Sequence, residues 1–468
     1  MNPYPDWLSP GDNAWQLVAA TLVGLMSLPG IAVLYGGLVQ KKWAVNTMLM
    51  AFTGFSLVLV VWVLWGFKMG FGEPLKLGPG ILQAAVGKPR SIVGTENQHQ
   101  AVIPLLDGLM PQFKFSETTL AYFQFVFAAI TPLLFLGSVI GRINFKVWLI
   151  FVPLWSTFAY CVNAFLVWGG GFWAQAHAGV SSLFSTGVLD YSGGYVIHLA
   201  AGTTGFVAAA VIGPRLARDR ERAVPNNLPM AAVGAGILWL GWNGFNGGDW
   251  YSAGQIASAA VLNTNLCTAV AFLVWVAWDY MTGRKPSLIG SVNGMIVGLV
   301  AITPGAGFVN GWGAIVIGVI ASTLVYFALN YLSRMAPFRN VDDTLGVVYT
   351  HGFAGVAGGL LVGIFANNAM AETTLAGTIS GGGLELLGWQ ARTALWVIVF
   401  SAIGTYILLK LVGLFVPLRM TEEEMEEGDI AVHGHEVYPS DVPSLGYPDG
   451  IGSAAPVPPP TPTAGTTA

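Results

Sequence analysis

Eleven apolar runs of about twenty residues dominate this chain, near 14–38, 46–67, 118–140, 146–168, 191–213, 229–245, 254–280, 287–303, 311–333, 345–366 and 392–415. At about 1.5 Å of rise per residue, a helix needs about twenty residues to cross a hydrocarbon core of about 30 Å. In lipid, each segment has to pair its own backbone N–H and C=O groups, which leaves helices as the answer for such runs. The expectation is an all-α integral membrane protein with eleven transmembrane helices. With 54% hydrophobic and 9% charged residues over 468 positions, a soluble domain of this length is excluded.

Orientation follows from the basic residues of the loops. With the N-terminus outside, the inner side holds thirteen Lys and Arg, from Lys41 and Lys42 to Arg419, and the outer side six: Lys68, Lys76, Lys88, Arg90, Lys114 and Arg392. The bias gives N-out and C-in, with residues 68–117 outside. The opening "MNPYPDWLSPGDNAW" lacks the basic start of a cleavable signal peptide, so the first helix is expected to be retained. Cys161 and Cys267 sit in apolar runs without CxxC or His-rich spacing, which indicates packing rather than a disulfide or a metal site. No cofactor and no nucleic-acid partner is implied.

The domain layout is an outer segment 1–13, an eleven-helix membrane domain 14–416, an acidic region 417–440 and a Pro-rich tail 441–468 expected to be disordered. Composition alone favours a plain solvated segment over a regulatory one for the acidic run Glu422, Glu423, Glu424, Glu426, Glu427 and Asp429.

Six histidines occur. His99 and His177 fall in expected outer loops, His433 and His435 in the tail, and only His198 and His351 lie within spans. Around those two the chain repeats itself, as "HLAAG" at 198–202 in helix five and "HGFAG" at 351–355 in helix ten. Five helices is an odd number, so two successive five-helix units, 14–213 and 229–366, have opposite orientations, with helix eleven (392–415) added. His198 lies eight residues below Asp190 and His351 eight above Asp343. Eight residues is about 12 Å along a helix, which leaves about 6 Å of depth between the imidazoles in a core of about 30 Å.

A single helical histidine is most often satisfied by a backbone carbonyl. Two in equivalent positions shift that balance, because ionisable groups inside a membrane usually line a pathway or relay. A metal site is poorly served by two imidazoles with no third ligand at that depth. A neutral imidazole offers one donor and one acceptor, so a bonded pair can pass a proton by tautomer exchange. The substrate expected is small and proton-linked.

The residues around the pair resemble the ammonium transporters of the Amt/Mep/Rh family. The resemblance runs in order along nearly the whole chain: "DNAW", "PGIAVLYGGLVQKK", "FQFVFAAIT", "VWGGG", "DYSGGYVIH", "NLPMAAVGAGILWLGWNGFN", "KPSLIGSVNGMIVGLVAITPGAG", "VDDTLGVVYTHGFAG" and "LRMTEEEMEEGDIAVHGHEVY". It implies a multi-pass protein of the cell membrane, a homotrimer with one pore per subunit, and a cytoplasmic C-terminal region that packs against a neighbouring subunit where a PII-type regulator docks. It places the paired pore histidines on His198 and His351, the outer-gate phenylalanines on Phe127 and Phe245, the recruitment tryptophan on Trp168, and the Asp at the outer end of helix five on Asp190. Asp190 is open to a second reading as a plain helix cap.

Two positions depart from the family pattern. Asp249 in "GFNGGDW" stands where the family often has the Ser of its recruitment site, and Gly346 stands five residues before His351, where many members carry Asp. A carboxylate at the mouth is expected to capture ammonium about fivefold more tightly, for a net gain of about 1 kcal/mol. It would also raise the ammonium pKa, so that the maximal rate is modest and rises when Asp249 is removed. Asp249 has two structural alternatives, a cap for helix seven or an outer-loop side chain.

The function implied is recruitment of ammonium by Trp168, Phe127 and Asp249, its deprotonation, and conduction of ammonia past His198 and His351, with the proton relayed or returned. The rival is an ammonium sensor that signals through its tail to a PII-type partner. Both histidines and both phenylalanines are present, which favours a working pore. No second set of nucleophile, base or metal ligands points to an enzyme.

Overall fold

The structure is a computed structural model that describes residues 4–108, 112–174, 187–371 and 376–438. His177 and the Pro-rich tail 441–468 lie outside these residues. Among the described residues ten helices are long and apolar enough to cross a membrane. They are α1 (Pro10–Leu38), α2 (Lys41–Phe71), α3 (Glu117–Val139), α4 (Phe145–Val167), α5 (Gly194–Ile212), α6 (Leu228–Gly247), α7 (Gln255–Met281), α9 (Gly311–Arg334), α10 (Val348–Phe365) and α11 (Glu385–Val412), with a shorter apolar helix, α8 (Leu288–Ile302), between α7 and α9.

Polar residues at the ends of the apolar runs start these helices. The side chains of Ser9, Ser116, Asn144, Asn227, Ser287 and Asn310 each accept a first-turn N–H, of α1, α3, α4, α6, α8 and α9 respectively. Each satisfies one of the four donors that a helix start leaves open. α3 is buried along almost its whole length and forms the axis of the bundle, with α1, α2, α5 and the 194–199 turn among the elements packed on it.

The last span starts at Glu385, seven residues before the expected 392, and ends at Val412. Glu385, Gln390 and Arg392 lower the hydropathy of that first stretch. Gln390 is nevertheless fully buried, because its amide bonds Leu189 N, Leu189 O and Gly359 O at 2.8–2.9 Å.

The acidic region is helical and packs on the bundle through Met425 and Asp429, while Glu422, Glu423, Glu426 and Glu427 stay exposed. Thr421 opens a reciprocal capping box with Glu424 on the short helix α12 (Glu422–Glu427), and α13 (Asp429–His433) follows. The Asp429 carboxylate accepts Val45 N and Asn46 N at 2.8 and 2.9 Å, His433 Nε2 lies 2.9 Å from Asn46 Oδ1, and Lys42 Nζ donates to Met425 O at 2.7 Å. Met425 is completely buried. Burial raises the Asp429 carboxyl to about 6, against the pull of the Asn46 and Val45 amides. The tail therefore docks on its own subunit, at the face where Lys41, Lys42, Arg142, Arg215 and Arg218 gather.

At that face Arg142 is buried with no exposure, donating to Gly213 O, Ile140 O, Thr344 Oγ1 and Asp342 O, while Arg215 makes a two-pronged bond to the Asp342 carboxylate at 2.7 and 2.9 Å. One guanidinium thus ties together the loops that follow α3, α5 and α9.

Candidate functional site

His198 and His351 meet. Their Nδ1 atoms are 3.2 Å apart, and both rings are buried. The "HxxAG" repeat explains how. Gly202, four residues after His198, lies against the α10 backbone, where an added Cβ would come within 2.3 Å of the Gly352 Cα. Gly355, four residues after His351, lies against the α5 side, where a Cβ would come within 2.7 Å of Gly194 O and 3.5 Å of the His198 Cβ. Each glycine makes room for the other histidine's helix, so the two helices close until the imidazoles touch. Both histidines also sit in π-helical turns, Gly194–Leu199 and Val348–Phe353, a local widening common at functional sites.

The two helices begin in the same way. Asp190 accepts Tyr195 N and Val196 N at 3.1–3.2 Å, and Asp343 accepts Val347 N and Val348 N at 3.1 and 2.8 Å. Between each carboxylate and its helix stands a left-handed glycine, Gly193 at φ +101° and Gly346 at φ +74°, both five residues before a histidine. That accounts for Gly346. The backbone there takes a conformation that glycine adopts without penalty, and Asp343 supplies the cap. Asp190 is accordingly the cap of α5. Burial pushes its carboxyl up to about 6, against the lowering effect of the Val196 and Tyr195 amides.

Above His198 the aromatic residues form a continuous series. Phe127 and Phe245 stack with centroids 4.3 Å apart and planes at 25°, Phe245 lies 5.9 Å from His198, and the Trp168 ring stands edge-on to Phe127 at 6.4 Å. The Trp168 indole is fixed by a 2.7 Å bond from Nε1 to Asp190 O and by stacking on Phe71. Trp242 is a site residue that sequence reasoning missed. Its ring stacks on His198 at 5.3 Å and 18°, and its Nε1 bonds Thr303 Oγ1 at 2.9 Å. It lies three residues before Phe245 on α6, one helical turn deeper, and that spacing was the available signal.

Asp249 follows the end of α6 by two residues and is 7% exposed. It does not cap α7, whose N-cap is Gly254 with no side-chain bond. Nor is it a loop-surface group. Its neighbours include Ser192, Asp190, Tyr191 and Tyr251, and burial holds its carboxyl well above the usual carboxylate range, with the Ser192 and Tyr251 hydroxyls offsetting part of that. Trp250, the next residue, stacks on Tyr191 at 6.3 Å.

A many-helix membrane protein with stacked aromatics over a buried histidine pair belongs to the class of small-solute transporters and channels. Residues 14–438 match the profile of the Ammonium Transporter Family. Ammonium transporter 3 member 2 of Oryza sativa subsp. japonica is 47% identical over 452 residues, covering 92% of this chain and 90% of the relative. Ammonium transporter 2 of Arabidopsis thaliana is 47% identical over 447 residues, covering 93% and 89%. The crystal structure of Saccharomyces cerevisiae Mep2 aligns with a TM-score of 0.73 at 29% identity, covering 89% of this chain and 91% of that one. Candida albicans Mep2 aligns at 0.74 with 26% identity, covering 90% and 88%. The chain belongs to the ammonium transporter family. It is a multi-pass membrane transport protein and not an enzyme.

Proposed function

We propose that this chain, an ammonium transporter, draws ammonium to an outer site of Trp168, Phe127 and Asp249, strips its proton, and passes ammonia between Phe127 and Phe245 and along His198 and His351. The observation that carries this reading is the 3.2 Å contact of the two imidazoles beneath the stacked phenylalanines. An intact cation in that buried lumen would meet a penalty of several kcal/mol, whereas ammonia is neutral and both donates and accepts. With Nδ1 facing Nδ1, one imidazole donates and the other accepts. In the neutral pair the two Nε2 atoms then have opposite roles, one N–H donor and one acceptor. His198 Nε2 has no hydrogen-bond partner among the described residues and is free to meet a passing solute.

Eleven crossings in an inverted five-plus-five arrangement fit the matching construction of α5 and α10, with α8 as the short eighth crossing. The N-out, C-in orientation, with the tail on the cytoplasmic side of the cell membrane, is supported by the gathering of basic loops around the docked acidic tail. A homotrimer follows from the resemblance, and the outward Leu17, Val18, Val233, Leu240, Leu262 and Leu273 suit a neighbouring subunit or lipid. A PII-type regulator would dock on the same cytoplasmic face. Liposomes containing only this protein test the reading: ammonium flux without K⁺ or Na⁺ flux is expected, and equal passage of K⁺ would contradict it. K⁺ has no proton to give up and no hydrogen bond to offer an imidazole.

A further inference from the structure

Of the two carboxylates at the outer mouth, Asp190 is fully engaged and Asp249 is not. Both oxygens of Asp190 accept backbone N–H groups of the first turn of α5, and its own carbonyl holds the Trp168 indole. Protonating Asp190 would weaken the start of the helix that carries His198. Oδ2 of Asp249, in contrast, is buried and has no hydrogen-bond partner among the described residues. Beside the Ser192 and Tyr251 hydroxyls, this oxygen is left open to a further donor.

The surroundings say which kind. Asp249 lies four residues past Phe245, one helical turn beyond the stacked pair on the side away from His198. Tyr251 holds the turn in a left-handed conformation at φ 58°, and its hydroxyl accepts from Gln124 Nε2 at 2.8 Å, leaving its own proton free for Asp249. Tyr191, stacked on Trp250, Tyr160 and Asp190 are the other titratable groups around it. These groups are acidic or neutral. Burial keeps the carboxyl well above the usual carboxylate range, which brings its proton affinity nearer to that of ammonia.

We propose that Asp249 takes the proton from ammonium before ammonia passes the phenylalanine pair, a role that rests on the transport reading above. One N–H bond of ammonium breaks and its electron pair stays on nitrogen as the lone pair of ammonia. The proton forms an O–H bond on Asp249 Oδ2. A cation and an anion become two neutral groups at the point where the path turns apolar. The proton then leaves Asp249 for water on the side from which the ammonium came, restoring the carboxylate. A serine at this position can accept a hydrogen bond but not a proton. On this proposal removing Asp249 slows transport, whereas charge attraction alone would have its removal speed transport.

The test is ammonium flux in liposomes with wild type, Asp249→Asn and Asp249→Glu, combined with infrared difference spectra on adding ammonium. Asp249→Asn, eluting as wild type does, should lower the maximal rate by about a hundredfold or more, in the range that positioned proton acceptors contribute, with Asp249→Glu recovering most of it. Wild type should gain a protonated-carboxyl band with ammonium that Asp249→Asn lacks. An unchanged or faster maximal rate in Asp249→Asn, with only the half-saturation concentration raised, would make Asp249 a cation attractor and overturn the proposal while leaving the transport reading intact. If Asp249→Asn does not fold, absence of the band in wild type overturns it alone. Loss of flux in wild type itself would overturn the transport reading instead.

Discussion

Gly202 of α5 and Gly352 of α10 touch backbone to backbone: a methyl group on Gly202 would stand 2.3 Å from the Gly352 Cα and 2.4 Å from its N. This contact, four residues from His198 and one from His351, sets the separation of the two helices and hence of the imidazoles.

Gly202→Ala should therefore part the histidines. Overpacking of this kind costs about 1–3 kcal/mol, visible as a lower melting temperature, and ammonium flux in liposomes should fall more than the stability loss explains. Gly404→Ala on α11 is the control. A methyl there meets nothing within 4 Å, so the substitution should leave flux and melting near wild type.

Arg142→Met should unsettle the cytoplasmic face. Removing the guanidinium leaves the Asp342, Ile140 and Gly213 carbonyls short of a donor and should cost about 1–3 kcal/mol, the range for buried polar groups left unsatisfied. Hydrogen exchange of residues 213–216 and 341–345 should rise first; protection equal to wild type would show that the loops hold without it.

Trp168→Leu should raise the half-saturation concentration for ammonium by about two- to fivefold, the equivalent of about 0.5–1 kcal/mol for a ring face lost from a partly exposed site. Steady-state flux against ammonium concentration measures this. An unchanged half-saturation concentration would remove Trp168 from the recruitment site.

The tail offers a fourth test. Truncation after Arg419 removes Met425, Asp429 and His433 and should lower transport, whereas truncation after Gly450 should leave it unchanged. Asp429→Ala loses both bonds to the start of α2 and should open the 417–421 segment to protease, at a cost of about 1–2 kcal/mol, the upper part of the range for a lost cap. Equal activity in both truncations would make the docked tail a passive clasp.

Spans of about twenty apolar residues are legible because lipid leaves the backbone no alternative, and the 198/351 pair was legible because the repeat and the helical rise fix its depth. The boundaries fail where a polar residue is buried by a bond that only the folded chain provides, as with Gln390 and the early start of α11. The role of Gly346 was opaque because a glycine gives no sign of a positive φ, although Asp343 stands eight residues before His351 as Asp190 does before His198. In the tail, the six acidic residues say nothing of the backbone N–H groups of Val45 and Asn46 that one of them, Asp429, meets. Trp242 was marked only by its place one helical turn from Phe245 on α6, a spacing that does not by itself show the stacking on His198.

The central claim is that the joined imidazoles make the lumen a path for ammonia and not for cations. Reconstituted His198→Ala and His351→Ala, each with its oligomer intact, measured for ammonium and K⁺ flux in the same liposomes, test it most directly. The account predicts that either substitution abolishes proton-linked selectivity, with ammonium flux lost or joined by K⁺. Ammonium flux of wild-type rate and selectivity in both variants would contradict it.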